Sequence, residues 1–205
     1  MPSPSEPLRI AGIVLAAGAA RRMGSNKMRL RLDGEPLVRR AARRALAADL
    51  DPVVVVLGRD AGEVAGEIAD LPCDLVVNED FTGPTSGSLH LGLGRLPDAT
   101  EGAVIVLGDM VEVTDSMIRA LVDAARATPA PLVVSRYGDV TAPPLLFRRS
   151  LFPELLAWTG EGCGKAVVQR HRQEAVFLDW PVAALVDVDT PEEFEKVVSR
   201  RSSVD

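Results

Sequence analysis

The feature that most constrains the fold is the alternation of continuous apolar runs with segments of helical periodicity along the chain. The clearest runs are Ile10–Ala16, Val53–Leu57 and Val104–Leu107, and a segment rich in helix formers follows each of them. Strands that are apolar at every position are buried on both faces, which is typical of parallel sheets covered by helices on both sides. The sequence therefore predicts a three-layer α/β fold with a mainly parallel sheet.

The same pattern predicts one domain over residues 1–205, because no repeat, low-complexity linker or shift in composition divides the chain. Near the end, the apolar run Ala183–Val188 predicts a strand. Thr190 and Pro191 then begin a final helix, with an N-cap and a proline in the first turn. The polar ends, 1–7 and 199–205, are expected to be flexible.

Charge and composition exclude several classes of protein. The net charge is −6. Positions 1–50 contain ten basic and four acidic residues, whereas acidic residues are in excess in the rest of the chain. An acidic chain of this kind argues against nucleic-acid binding, and no apolar run is long enough for a membrane span. Two cysteines and two histidines exclude a disulfide framework and argue against a zinc site. With no secretory signal pattern at the N-terminus, a cytoplasmic location is expected.

The basic excess points to the Gly-rich loop after the first apolar run, at Gly18–Gly24. Small residues after a strand allow backbone amides to approach an anion, and Arg22 and Lys27 add full charges. The spacing fits neither a Walker A loop nor a G-x-G-x-x-G fingerprint. The loop therefore predicts phosphate binding. A plain Gly/Ala turn with solvated arginines is the alternative.

Three aspartates are candidate metal ligands. Asp109 directly follows an apolar strand, at the edge where open α/β sheets bind their ligands, and a carboxylate there can hold Mg²⁺ against phosphates. Asp187 and Asp189 alternate in the predicted strand, so their side chains are expected to point the same way. The alternatives are that Asp109 caps the next turn and that Asp189 caps the final helix.

Five motifs together resemble one enzyme family. The first loop reads L-A-A-G-x-x-x-R-M-G-x-x-K from Leu15 to Lys27, and this resembles the N-terminal motif of Rossmann-like nucleotidyltransferases. The match is best to the molybdopterin nucleotidyltransferases, which are the molybdenum cofactor cytidylyl- and guanylyltransferases. The other motifs are Asp33–Leu37, the segment Ser86–Leu89 with Gly92, Gly108-Asp109, and Asp187–Glu192. The resemblance implies a Rossmann-like nucleotidyltransferase fold.

The resemblance also implies a reaction: a nucleotidyl group passes from a nucleoside triphosphate to a phosphate, with Mg²⁺ required and pyrophosphate released. Such an acceptor is already ionised near neutral pH, so catalysis needs positioning and charge neutralisation rather than a strong base. Arg22, Lys27 and Asp109 are the expected catalytic residues, and Asp187 or Asp189 would complete the metal site with Asp109.

The implied nucleotide site is built from small residues and backbone. Ser86 and Ser88 are expected against the base and ribose, although a simple helix start is the alternative. Lys165, in the Gly-rich segment 160–165, is expected to meet the acceptor phosphate, with a plain surface loop as the alternative. The full expected set is Leu15, Ala16, Ala17, Gly18, Met23, Gly24, Ser86, Ser88 and Lys165.

Three departures from the family pattern bear on the substrate. Val111 stands where the family has a proline, and Ala20 stands where a serine is common. Ala142-Pro143-Pro144 replaces the family's G-H-P segment, so its histidine is absent. Transfer itself is therefore better supported than molybdopterin as the acceptor. Ala17 resembles the members that use a pyrimidine nucleotide, which favours CTP over GTP. One rival hypothesis is transfer to a sugar or polyol phosphate. The other is a catalytically inactive accessory protein for a molybdoenzyme. A transferase for the molybdenum cofactor would also contact a molybdoenzyme transiently.

Overall fold

The structure, a computed structural model, describes residues 8–18 and 26–202, and it confirms the predicted α/β fold. The strands are β1 (Ile10–Ala16), β2 (Arg31–Leu32), β3 (Glu35–Pro36), β4 (Val53–Leu57), β5 (Asp74–Val77), β6 (Gly102–Leu107), β7 (Leu132–Tyr137), β8 (Val140–Arg148) and β9 (Val176–Trp180). The α-helices are α1 (Leu37–Ala47), α2 (Ala61–Gly66), α3 (Thr85–Gly94), α4 (Asp115–Ala127), α5 (Phe152–Ala157), α6 (Cys163–Arg170) and α7 (Pro191–Ser202).

Seven strands form one sheet in the order β5-β4-β1-β6-β8-β7-β9, and β2 and β3 pair separately as a hairpin. Within the large sheet, β8 runs antiparallel to both of its neighbours, and the other pairings are parallel. The chain leaves β1 toward β4 on one side and later returns to β6 on the other. This reversal opens a crevice at the carboxyl ends of β1 and β6, where open α/β sheets bind ligands.

Alternating side chains of the central strands supply the two main cores. Val14, Val55 and Val104 face the core that contains α1 and α4, whereas Ile13 and Val54 face the core under α3, α5 and α6. Both faces of the sheet are thus covered. This arrangement explains why the strands are apolar at every position.

A third, smaller core joins the C-terminal segment to the hairpin. Its buried members are Leu32, Leu37, Val111, Val188 and Val197. The hairpin turn is Asp33-Gly34, and both residues have positive φ, at 54° and 78°, as the tight turn between two right-twisted strands requires.

One prediction for the C-terminal region is wrong. Residues 183–188 do not form a strand: a short 3₁₀ turn covers Val182–Ala184, and a single bridge then pairs Asp187 with Met110. The apolar residues of this segment are buried by the small core, not by a sheet. Of the end expected to be flexible, residues 199–202 belong to α7, and Arg201 pairs there with Asp33 and Glu112. The other expected flexible residues, 1–7 and 203–205, lie outside the described part of the chain.

Helix length gives one further result. Among the described residues, no helix is both long enough and apolar enough to cross a membrane.

Candidate active site

A cavity of about 380 Å³ opens at the crevice beside β1 and β6. Residues from four parts of the chain form it: the end of β1, the segment around Lys27, the segment that leads into α3 together with its first turn, and the end of β6. Lys27 and Asp109 are its charged lining residues, and Phe81, Thr82 and Ser88 are among the uncharged ones. A cavity that combines charged and uncharged lining residues suits a ligand with an anionic part and an uncharged part.

Lys27 is held at this cavity by a capped turn. Asn26 precedes the short 3₁₀ helix Lys27–Arg29, its side-chain oxygen accepts from the Met28 amide, and its side-chain amide donates to the Arg59 carbonyl at 2.6 Å. Both ends of the buried Asn26 side chain are therefore used to fix the turn. Asn26 and the 3₁₀ helix therefore fix the backbone position of Lys27.

The Lys27 ammonium bridges two carboxylates. It donates to Oδ2 of Asp109 at 2.5 Å and to Oδ1 of Asp189 at 2.7 Å. The lysine side chain is 8% exposed and that of Asp109 is 18% exposed, whereas half of the Asp189 side chain faces solvent. Burial alone lowers the pKa of Lys27, but the charges and hydrogen bonds of the two aspartates outweigh it, and the pKa is raised. Lys27 therefore remains a cation at neutral pH.

Asp109 and Asp189 could supply some, but not all, of the ligands of a divalent cation. Asp109 Oδ1 is buried and has no hydrogen-bond partner among the described residues, so a ligating oxygen is free beside the cavity. The described residues contain no group of three or more His, Cys, Asp or Glu arranged to hold a metal. One or two carboxylates completed by substrate phosphates is the ordinary Mg²⁺ arrangement, and Asp109 with Asp189 provides that number.

Asp187 differs from the sequence-based expectation. Because its segment is not a strand, the argument that Asp187 and Asp189 point the same way is wrong. The bridge pairs the backbone of Asp187 with that of Met110, which directly follows Asp109 in the chain. Asp189 is the aspartate whose side chain reaches Lys27.

The small residues at the end of β1 divide between two environments. Leu15, Ala17 and Gly18, which are expected to bind the nucleotide, line the cavity. Ala16 does not line it, because side chains alternate along a strand, and its methyl group packs in the core beside α1. Arg22, Met23 and Gly24 lie outside the described residues, so their expected roles remain predictions.

Ser88 belongs to this cavity, and Asn78 supports it. Asn78 follows β5 and is buried, its side-chain amide donates to Oγ of Ser88 at 2.9 Å, and its side-chain oxygen accepts from the Asp80 amide at 3.0 Å. The sequence analysis missed Asn78. The sequence does contain a signal for it: Asn78 is a polar residue directly after an apolar strand, at the carboxyl end where the sheet binds its ligands.

Gly58 is a second residue that the sequence analysis missed. It follows β4 and packs directly on the end of β1: a Cβ at Gly58 would lie 2.4 Å from the carbonyl oxygen of Ala17. A side chain there would displace the backbone that begins the Gly-rich loop. Only glycine permits this approach.

A second cavity, of about 320 Å³, adjoins the first and shares Leu15, Thr85 and Leu107 with it. Its walls are mainly apolar and come from β6, β8 and α6, with Ile105, Phe147 and Val168 among them; Ser86 and Lys165 also line it. Ser86 and Ser88 thus serve different cavities. Lys165 lines the second cavity and not the one that contains Lys27, and its expected contact with an acceptor phosphate stays a prediction.

A Gly-rich segment joins this second cavity to α3. The carboxylate of Glu161 accepts from the backbone amide of Thr85 at 3.2 Å and from its hydroxyl at 2.7 Å. The amide of Gly160 donates to the Ser86 hydroxyl at 3.2 Å. Gly160 and Gly162 have positive φ, which glycine adopts without strain. The segment therefore closes over the N-terminus of α3.

Cys163 also lines the second cavity, but its chemistry does not indicate a nucleophile. Burial, with a smaller contribution from the charge of Glu154, raises the pKa of the Cys163 thiol. The thiol donates to the carbonyl of Leu155 at 3.4 Å. It is a packing residue between α5 and α6.

Comparison with known proteins places this geometry in a family. The sequence profile of the MobA-like NTP transferase domain matches residues 12–176. The purine catabolism protein PucB of Bacillus subtilis is 29% identical over 198 residues, covering 92% of this chain and 95% of its own. A molybdenum cofactor guanylyltransferase of Burkholderia orbicola is 31% identical over 187 residues, covering 88% of this chain and 90% of its own.

A solved structure agrees with the sequence comparison. Rv0371c from Mycobacterium tuberculosis H37Rv superposes with a TM-score of 0.84 at 28% identity, over 94% of this chain and 99% of that one. The same mycobacterial protein has been solved in complex with manganese, and that structure has a TM-score of 0.78 at 29% identity, over 93% and 98% of the two chains.

Proposed function

The chain belongs to the MobA-like NTP transferases and is a nucleotidyltransferase, and we propose that it transfers CMP from CTP to a phosphate of the molybdenum cofactor. The observation that carries the proposal is the Lys27 ammonium, held by Asp109 and Asp189 at the mouth of a cavity that adjoins a second, mainly apolar one. One cavity would receive the nucleotide and the other the acceptor.

The charged groups have complementary roles in this proposal. Lys27, with Arg22 from the preceding loop, neutralises the triphosphate and the departing pyrophosphate. Asp109 and Asp189 would hold Mg²⁺ on the phosphates, and this ion would offset the charge that develops during transfer. Manganese in a structure of the mycobacterial relative supports a divalent cation at this fold. When the ligand binds, the lysine exchanges its carboxylate partners for phosphate oxygens.

The identity of the nucleotide rests on the first cavity. Ala17 lines it, and the sequence resemblance associates alanine at this position with pyrimidine nucleotides. GTP is the competing donor, since the Burkholderia relative is named a guanylyltransferase. The donor nucleotide and Mg²⁺ are both abundant in the cytoplasm, where we place the reaction.

The acceptor rests on the second cavity. Walls that are mainly aliphatic, with Phe147 among them, suit an apolar heterocycle better than a polyol, whose hydroxyl groups would need partners there. Lys165 would meet the phosphate of this acceptor. The product would then pass to a molybdoenzyme, which makes such an enzyme a transient partner.

Pyrophosphate release tests the proposal. The purified chain is incubated with each of the four nucleoside triphosphates and Mg²⁺, with molybdopterin, with a sugar phosphate, or with no acceptor. We expect release with CTP and molybdopterin, and its loss when the metal is chelated. Release with a sugar phosphate alone would favour the polyol hypothesis. Tight nucleotide binding without release from any acceptor would favour an accessory protein.

A further inference from the structure

Asn78 and Ser88 form a buried polar pair at the first cavity, which Ser88 lines. Their side chains are joined by the 2.9 Å hydrogen bond, and the exposed fractions of the two residues are 5% and 7%. A polar pair this deeply buried costs stability unless its hydrogen bonds are complete. The direction of each bond therefore matters.

The direction is fixed by a backbone group that can only donate. The Asp80 amide donates to one end of the Asn78 side chain at 3.0 Å, so that end is the carbonyl oxygen and the other is the amino group. An amino group of this kind donates only, and the Ser88 oxygen must accept from it. The hydroxyl hydrogen of Ser88 then points elsewhere.

The remaining hydrogen has no acceptor within the described part of the protein. No hydrogen bond from the Ser88 hydroxyl to another described residue is present, and Ser88 lines the first cavity. A hydroxyl group ordinarily accepts and donates by rotating to suit its partner. Here Asn78 removes that freedom and leaves the hydroxyl hydrogen of Ser88 available to a ligand in the cavity.

Given the proposed function, we infer that Asn78 is a positioning residue that makes Ser88 an obligate hydrogen-bond donor to a ring carbonyl or an unprotonated ring nitrogen of the nucleobase. Such atoms can only accept, so a hydroxyl of fixed direction discriminates between bases by what they present at this point. A ribose hydroxyl accepts or donates equally well and would not need the fixed direction.

Asn78→Asp tests this with a nearly isosteric change. The introduced carboxylate still accepts from the Asp80 amide, but it has no hydrogen to donate and accepts the Ser88 hydrogen instead. Ser88 then presents lone pairs to the base. We expect the Kd for CTP with Mg²⁺, measured by calorimetry near pH 8, to rise about tenfold or more.

The pH dependence separates this role from a merely structural one. When protonated, the introduced carboxyl group donates to Ser88 as the amide does. The ratio of variant to wild-type Kd should therefore fall as the pH is lowered across the pKa of the introduced carboxyl group, which is measured by NMR titration of the folded variant. A ratio that does not change across that measured pKa would count against the inference.

A double-mutant cycle supplies the matched control. Ser88→Ala should weaken CTP binding, and adding Asn78→Asp should then have little further effect, because no hydroxyl remains to redirect. In the Ser86→Ala background, where the hydroxyl removed faces the other cavity, the full effect of Asn78→Asp should persist. Additive effects of Asn78→Asp and Ser88→Ala would overturn the inference.

Nucleotide analogues identify the atom that is recognised. Ser88→Ala should weaken CTP, 2′-deoxy-CTP and 3′-deoxy-CTP alike and leave the binding of ribose 5-triphosphate, which has no base, unchanged. Loss of the effect with either deoxynucleotide would assign the contact to the ribose and overturn the base assignment. Thermal unfolding establishes that each variant is folded; if Asn78→Asp is not, Asn78→Ala replaces it, with a smaller loss of affinity that also disappears in the Ser88→Ala background.

Failure of this inference is distinct from failure of the proposed function. A wild-type chain that binds no nucleoside triphosphate with Mg²⁺ refutes both. Wild-type binding with an unchanged Kd in Asn78→Asp refutes the positioning role alone.

Discussion

The ammonium nitrogen of Lys27 lies 2.5 Å from Oδ2 of Asp109, although 82 positions separate the two residues in the chain. The fold brings them together because Lys27 comes after β1 in the chain, Asp109 comes after β6, and β1 and β6 are parallel neighbours whose carboxyl ends meet. The pair places a positive group, Lys27, where a triphosphate would bind, and a negative group, Asp109, where the metal ion of that triphosphate would bind.

Asp109→Asn should abolish transfer while preserving the fold. The change keeps the shape of the side chain but removes the charge that would hold a metal, and loss of one such contact in a water-poor site costs about 10²–10³-fold in rate. Pyrophosphate release with CTP and acceptor measures the effect, and circular dichroism controls for folding. Activity equal to that of the wild type would remove Asp109 from the site.

Lys27→Ala should also abolish transfer, and it should change the response to metal. Without the ammonium, Asp109 and Asp189 face each other unneutralised, which lowers the free energy of unfolding by about 2–3 kcal/mol. A divalent cation can then take the vacated position. We expect Mn²⁺ alone to raise the melting temperature of this variant more than that of the wild type.

The control for that shift is the double variant Lys27→Ala/Asp109→Asn. With one carboxylate removed, the additional stabilisation by Mn²⁺ should disappear. Equal shifts in wild type and Lys27→Ala would show that the two carboxylates do not form a cation site.

The central fold could be predicted because its strands have a strong local signal. β1, β4 and β6 are apolar at every position, and burial on both faces of a sheet is the ordinary cause of that pattern. β9 was missed because its residues are partly exposed and include Asp179, which pairs with Arg136. The hairpin was missed because its strands have only two residues each, although Asp33-Gly34 is a strong turn signal.

The site was predictable only where it follows a motif. Lys27 and Asp109 stand in recognisable segments, but their direct contact depends on sheet order, which no local pattern encodes. The segment around Asp187 was misjudged because a run of apolar residues looks the same whether a sheet or a small separate core buries it. Asn78 acts through a single partner in α3, and its role became visible only from the hydrogen bonds.

Lys165→Ala should affect the acceptor and not the nucleotide. Lys165 lines the second cavity and does not line the one that contains Lys27, so its loss removes a charge from the acceptor site alone. We expect the KM for the acceptor to rise roughly tenfold and the KM for CTP to stay within a factor of about two. Lys196→Ala, an exposed lysine of α7, is the matched control and should change neither value.

Tyr137→Phe should change how stability depends on alkaline pH. Burial raises the pKa of Tyr137 to about 12, while the unfolded residue ionises near 10. Between these values the unfolded state loses a proton that the native state retains, so wild-type stability falls as the pH rises from 10 to 12, by about 2 kcal/mol.

Phenylalanine cannot ionise and escapes this loss, but near neutral pH it lacks the 2.9 Å hydrogen bond to the Pro143 carbonyl, worth about 1 kcal/mol. Urea unfolding near pH 8 and at several values above 10 should show the variant less stable at first, with the difference shrinking as the pH rises. A constant difference would mean that Tyr137 ionises alike in both states.

Val188→Ala should disturb catalysis through the position of Asp189. Val188 is fully buried in the small core that joins the C-terminal segment to the hairpin, and it directly precedes the aspartate that contacts Lys27. Removing two methyl groups there should cost about 2 kcal/mol of stability and leave Asp189 less firmly held. Val197→Ala is the control. Val197 is buried in the same core, but it lies in α7 and does not adjoin Asp189 in the chain. Denaturant unfolding should show similar losses for both variants, whereas pyrophosphate release should fall several-fold more in Val188→Ala; equal activities would mean that this core supports the fold without positioning Asp189.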